Sequence, residues 1–259
     1  NTVYHLAAET IVGNAARSPV DTYITNVFGT VSLLEAVRLV ENESKNKKIS
    51  LLVMSSDKAY GRGELPYSEN QVLNGLDIYS SSKVCKDVIT RTYANEYGMN
   101  IVVARSCNIF GAHDFNSSRI IPQFIKTYKG KENGKIVINK TTSGQLRQYI
   151  YVKDVVTALE FLINHILKTR GEAYNICFGG FTGYQNVYNV EQILYIFKNI
   201  TGFSDSNVEY ISKEKGFREI KKQYLDCSKL KNLGWSAKWR FEDAIRDTIK
   251  DETNTIKEK

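Results

Sequence analysis

Cysteine, histidine, proline and tryptophan are all scarce, with 4, 3, 3 and 2 in 259 residues. Cys85, Cys107, Cys177 and Cys227 are scattered and form no CxxC pair, and His5, His113 and His165 share no metal-ligand spacing with them. A disulfide framework and a zinc site are therefore not expected, and no metal is assigned. No run approaches the roughly 18 consecutive apolar residues that a membrane-crossing helix needs. The N-terminus also lacks the basic region, apolar run and small-residue cleavage site of a secretory signal, so the chain reads as cytoplasmic with no membrane partner. Blocks of one charge sign are missing as well. Net charge is +7, but the basic runs KNKK (45–48), KGKENGK (129–135) and KEKGFREIKK (213–222) are interrupted by polar or acidic residues. They read as solvated loops, which speaks against nucleic acid and leaves an anionic, phosphate-bearing ligand as the alternative use of the excess.

What is there is an ordinary globular balance, 42% hydrophobic and 24% charged, enough for one sizeable core and a smaller second lobe. VYHLAA (3–8), ISLLVM (49–54) and NIVVAR (100–105) are short apolar runs that read as buried parallel strands. Between them lie helical patterns. Val20, Tyr23, Ile24, Val27, Val31 and Leu34 recur at helical spacing behind Pro19, and a second helix fits Tyr79 to about Glu96. Alternating strands and helices imply right-handed crossovers and a doubly wound α/β sheet of Rossmann type, which binds ligands at the strand C-termini. YIYV (149–152) and AYNICFGG (173–180) add strands, with a helix over 152–167 between them. The rest, with helices at 190–201 and 241–250 and a strand at 208–211, forms a smaller α+β lobe. The expected division is 1–112 with 140–180 for the sheet domain, and 113–139 with 181–259 for the lobe.

Tyr79 and Lys83, in the run YSSSK, are four apart, so a helix starting there puts them on one face. A free phenol titrates near 10, and a neighbouring ammonium is expected to pull it down toward use as a base. SSDKAYG (55–61) ends one strand and RSCNIFG (105–111) the next, so both converge with YSSSK on one sheet edge.

These blocks, in this order, resemble the extended short-chain dehydrogenase/reductases that act on nucleotide sugars, the epimerases and 4,6-dehydratases. The matching set is HLAA (5–8), SPVDTYITNVFGTVSLLEAVR (18–38), SSDKAYG, YSSSK, RSCNIFG with RIIP (119–122), RQYIYVKDVV (147–156) and DCSKLKNLGW (226–235). The resemblance implies an NAD cofactor lying against Leu6, Ala7, Ala8 and Ser55, with Asn26 bracing the edge. It implies that Tyr79 is the base, Lys83 the cofactor-ribose ligand, and Ser56 the partner of the sugar hydroxyl being oxidised. Asn108, Arg119, Arg147 and Arg218 are the candidates for the sugar diphosphate, and Glu219 matches an acidic residue of the lobe. The implied partners are a nucleotide diphosphate sugar and a second copy of the chain, paired through helices 20–40 and 79–96.

Asp57 and Lys58 separate the subfamilies. An epimerase needs no acid or base at C5 and C6, whereas loss of water across those carbons needs a group to take the C5 proton and another to protonate the departing hydroxyl. Asp57 matches the proton donor of the 4,6-dehydratases, and Asp57 with Lys58 looks like the CDP-glucose enzymes rather than the dTDP-glucose ones, which carry Glu at the second position. Ala112 and His113 depart from the glycines of the CDP-glucose group. The reading is a 4,6-dehydratase making a 4-keto-6-deoxy sugar for surface polysaccharide. A 4-epimerase or reductase on the same scaffold, and a non-catalytic binding protein, are the alternatives.

No GxGxxG or GxxGxxG turn precedes HLAA, although the resemblance implies one to hold the cofactor pyrophosphate. A polypeptide of these residues alone is therefore expected to bind NAD poorly, which isothermal titration reports directly.

Overall fold

The computed structural model describes residues 1–44, 48–130, 135–179, 185–213 and 220–257, with side chains described as far as 252. Strand β1 (Thr2–His5) leads through the HLAA turn to α1 (Val12–Arg17) and α2 (Pro19–Tyr23). A π-helical turn over Ile24–Phe28 joins α2 to α3 (Gly29–Glu43), and β2 (Ser50–Ser56) runs straight into a 3-10 turn, Asp57–Tyr60. Then come α4 (Ile78–Tyr97), β3 (Ile101–Ser106), β4 (Asn108–Phe110), α5 (Ile120–Tyr128), β5 (Ile136–Asn139) and the short α6 (Lys140–Ser143). The second half comprises β6 (Leu146–Tyr151), α7 (Val152–Asn164), α8 (Ile166–Thr169), β7 (Ala173–Ile176), β8 (Val187–Tyr188) and α9 (Val190–Thr201). It closes with β9 (Val208–Ile211), β10 (Lys222–Gln223), α10 (Ser228–Leu233) and α11 (Phe241–Lys257).

The main sheet has the order β1-β2-β3-β7, all parallel. Successive residues of β2 feed opposite faces. Leu51 and Val53 pack with Leu34 and Val37 of α3 and Ala94 of α4. Leu52 packs with Val102 and Ala104 of β3 against Val155, Ala158, Leu159 and Leu162 of α7. Both faces are thus covered, as the alternating pattern predicts. Leu225, Cys227, Leu230 and Trp235 join the α7 side, so the segment around α10 packs on this layer.

YIYV does form a strand, but in a second sheet of order β10-β6-β4, with β8 antiparallel to β6. Its neighbour is β4, which leaves the main sheet directly after β3. A third pair, β5 with β9, and helices α5, α9 and α11 close the lobe around Phe110, Phe124, Tyr151, Phe197 and Phe241.

The helix expected behind Pro19 is interrupted by its π turn, and the whole stretch Pro19–Glu43 is long and apolar enough by length and composition to cross a membrane. Its buried face is nevertheless partly polar. Thr22, Asn26, Thr30 and Glu41 point inward with Leu34 and Val37, while Val20, Ile24 and Phe28 point outward.

Candidate active site

Two local signals fix where the chemistry sits. The Asp77 side chain caps α4 by accepting from the Ser80 backbone amide at 2.9 Å, and Gly98, left-handed at φ 60, ends it. The helix therefore starts at Ile78 and carries Tyr79 in its first turn. At the C-terminal end of β2, Ser56 extends the strand and accepts from the Lys58 amide at 3.3 Å, nucleating the 3-10 turn. Gly61 ends that turn at φ 63, where an added Cβ would sit 1.7 Å from the Asn74 carbonyl oxygen. Only glycine fits.

Ser56, Asp57, Lys58, Tyr79 and Lys83 meet at this edge. The Ser56 hydroxyl donates to Asp57 Oδ1 at 3.0 Å and lies close enough to the Tyr79 phenol to favour its phenolate. Lys83 Nζ lies 5.5 Å from the centre of the Tyr79 ring. Burial drives both groups toward neutrality: the ammonium of Lys83 comes down to about 8 and the phenol of Tyr79 goes up to about 12. The phenol is thus not lowered as the spacing predicts. Desolvation outweighs the influence of Ser56, which favours the phenolate, Asp57 adds to the rise, and the lysine lies beside the ring.

Asp57 is the other buried acid of the edge, and desolvation raises its carboxyl above the ordinary range against the opposing pull of Lys58, Ser56 and Arg147. Its Oδ2 has no hydrogen-bond partner among the described residues. A carboxyl held toward its protonated form, with one oxygen unpartnered, is equipped to give a proton to an incoming group.

The turn that carries Asp57 and Lys58 is anchored from behind. Arg105, 1% exposed, binds Asp87 through Nε at 2.7 Å and Nη2 at 2.8 Å, and donates from Nη1 to the Tyr60 hydroxyl at 2.8 Å. Tyr60 in turn donates to Asn175 Oδ1 at 2.7 Å. Sequence reasoning missed this network, although an arginine ending the apolar run NIVVAR was a readable signal of a buried partner.

On the cofactor side, Asn26 is fully buried in the π turn. It accepts from the Glu9 amide at 2.7 Å and donates to Ser82 Oγ at 2.8 Å, tying the loop after β1 to the helix of Tyr79. Leu6 and Ala7 are exposed and Ala8 is half-buried, so the HLAA turn offers a surface beside these groups. His5 is spent on Thr30, at 2.9 Å, and burial with Lys86 and Lys83 lowers it to about 4. Ser55 Oγ reaches the Lys83 carbonyl at 3.5 Å. The Lys83 side chain is buried beside the Tyr79 ring. A buried donor-only group beside an exposed turn fits a ribose hydroxyl of a dinucleotide.

The phosphate candidates divide. Arg147 lies close enough to favour the Asp57 carboxylate, and Arg119 to favour the Tyr79 phenolate. Arg119 also pairs with Asp114 at 2.8 Å. Asn108 donates from Nδ2 to the Gln148 carbonyl at 2.9 Å. Arg218 and Glu219 lie outside the described residues.

Comparison with known proteins identifies the family and the fold. The CDP-glucose 4,6-dehydratase of Salmonella typhimurium is 27% identical, over 96% of this chain and 69% of its own. A structure of UDP-glucose 4-epimerase from Thermotoga maritima, with UDP-glucose, superposes with a TM-score of 0.83 at 26% identity, over 98% of this chain and 78% of that one. The dTDP-glucose 4,6-dehydratase of Bacillus anthracis, in complex with NAD, gives 0.78 at 23% identity over 99% and 73%, a likeness of fold. The family model described as GDP-mannose 4,6 dehydratase matches residues 1–248, and the chain belongs to that family of short-chain dehydrogenase/reductase-type nucleotide-sugar enzymes.

Proposed function

We propose that the protein is an NAD-dependent 4,6-dehydratase of a nucleotide diphosphate glucose, with CDP-glucose the favoured substrate. The observation that carries this is Asp57, a buried carboxyl with an unpartnered oxygen, flanked by Lys58 and hydrogen-bonded to the serine that faces Tyr79. An epimerase has no use for such a pair. The CDP preference rests on the Asp57-Lys58 combination and on the likeness to the Salmonella enzyme.

NAD held against Leu6, Ala7, Ala8, Ser55 and Lys83 supplies the acceptor for the C4 hydride and its donor to C6. Tyr79 takes the proton of the 4-hydroxyl, with Ser56 sharing a hydrogen bond to the same oxygen. Lys58 takes the C5 proton, the C5–H electrons form the C5–C6 double bond, the C6–O bond breaks as Asp57 protonates the leaving hydroxyl to water, and the Lys58 ammonium returns its proton to C5 when C6 receives the hydride. Lys58 needs to be neutral for this, which a closed, desolvated cleft favours. Arg119, Arg147, Arg218 and Asn108 are the proposed ligands of the diphosphate. Residues 1–112 with 140–180 form the proposed cofactor part, and 113–139 with 181–259 the substrate part.

The test is mass. Full-length protein incubated with NAD and CDP-, dTDP-, UDP- or GDP-linked hexoses is expected to give a product one water lighter, most rapidly from CDP-glucose. A product of unchanged mass indicates a 4-epimerase, the reading favoured by the Thermotoga likeness, and no turnover of any of them sinks both.

The outward stripe of Val20, Ile24 and Phe28, spaced i, i+4, i+8, is the proposed homodimer face, with Val88 on α4. Phe28 is 65% exposed. Phe28→Glu is expected to weaken self-association at least tenfold, about 1.4 kcal/mol, by placing a charge in an apolar contact. Light scattering over a dilution series reads it, and an unchanged dimer removes this face.

A further inference from the structure

Gln223 is fully buried on β10, paired in register with Arg147 of β6. It is 165 residues from Lys58 in the chain, yet its Oε1 accepts from Lys58 Nζ at 3.3 Å. Its position is fixed on both sides. The Tyr67 amide donates to the Tyr224 carbonyl at 3.0 Å and the Asp226 amide to the Tyr67 carbonyl at 2.9 Å, while the Leu225 amide donates to Gln148 Oε1 at 2.8 Å. An ammonium is donor-only, so the oxygen of the amide faces Lys58 and the nitrogen is turned away from it. That nitrogen, Nε2, is buried and has no hydrogen-bond partner among the described residues. Buried amide donors are normally satisfied.

Resting on the reading of Lys58 as the C5 base, we propose that Gln223 is the positioning residue for that base. It reaches across from the C-terminal segment to hold the lysine nitrogen, and it leaves one donor for a substrate oxygen. The choice of amide matters. A carboxylate at this position would hold Lys58 in its charged form, and an apolar side chain would offer it no acceptor here. A neutral acceptor orients the amine while leaving it free to exist without its extra proton, and the lone pair then points away from Gln223 toward the substrate. The proton balance is that of the dehydration itself: the C5 proton moves to the Lys58 nitrogen, and Gln223 gains and loses none.

Full-length holoenzyme variants decide this, with the nucleotide sugar that loses water in the mass test as substrate. Gln223→Met, matched in size, is expected to lower kcat for water loss about tenfold or more, part of the roughly 10²–10⁴-fold that a general base contributes, with KM changed less than twofold. Gln223→Glu keeps the shape and adds a charge a hydrogen bond away. It is expected to move the pH midpoint of the base-dependent limb upward by about one unit or more. A merely structural glutamine would not move that midpoint. If both variants keep the wild-type kcat and midpoint while Lys58→Met abolishes water loss, the proposal is overturned and the reading of Lys58 stands. If Lys58→Met dehydrates at the wild-type rate, that reading falls and takes Gln223 with it. Should Gln223→Met fail to fold, the Gln223→Glu midpoint alone carries the decision.

Discussion

Tyr79→Phe in the full-length enzyme is expected to lower kcat by about 10³-fold while shifting the thermal midpoint by no more than a few degrees. The substitution removes one oxygen. The ring stays packed in the first turn of α4, 7% exposed, and what is lost is at most one hydrogen bond of the buried hydroxyl, with Ser56 its neighbour. One such hydrogen bond is worth about 1 kcal/mol, which in a chain of this size is a shift of roughly 2–4 °C. The catalytic loss is larger because proton removal from the alcohol contributes 10²–10⁴-fold. Burial sets the phenol at about 12, so turnover by the wild type should rise with pH as the phenolate fraction grows. That limb should disappear in the variant. Turnover retained by Tyr79→Phe would remove Tyr79 from the mechanism.

The direction of that pKa marks the limit of what was legible beforehand. Spacing alone placed Tyr79 and Lys83 on one helix face, and helical periodicity put the helix within a residue of its observed ends, Ile78 and Tyr97. Spacing says nothing of solvent, however, and desolvation reverses the expected shift. Strands were legible for a similar reason. Leu51, Leu52 and Val53 are all fully buried because a parallel strand is covered on both faces, and that leaves an uninterrupted apolar run. The π turn at Ile24–Phe28 left no such mark, since its residues keep helical periodicity. Gln223 was invisible too. Its contact with Lys58 joins segments far apart in sequence, and nothing local to KKQYL distinguishes it from a solvated strand.

Arg105→Met is expected to cost about 3–5 kcal/mol of stability, the price of leaving one member of a buried ion pair alone. Against a total of roughly 5–15 kcal/mol this is a large share. Among the described residues Asp87 would keep Arg91, which reaches Oδ1 at 3.0 Å from a side chain 38% exposed, and the Tyr60 hydroxyl would keep Asn175. Replacing both charges, as Arg105→Met with Asp87→Leu, should recover most of the loss, because an apolar pair of similar volume carries no desolvation penalty. Activity should not follow. The double variant still lacks the Arg105 donor at Tyr60, so the turn that aims Asp57 and Lys58 remains unanchored and kcat for water loss stays low. Urea unfolding and turnover on the same samples separate the two effects. A single-variant cost below about 1 kcal/mol would mean that the pair is solvated rather than buried. A double variant restored in both stability and activity would show that the network supports the sheet and not the turn.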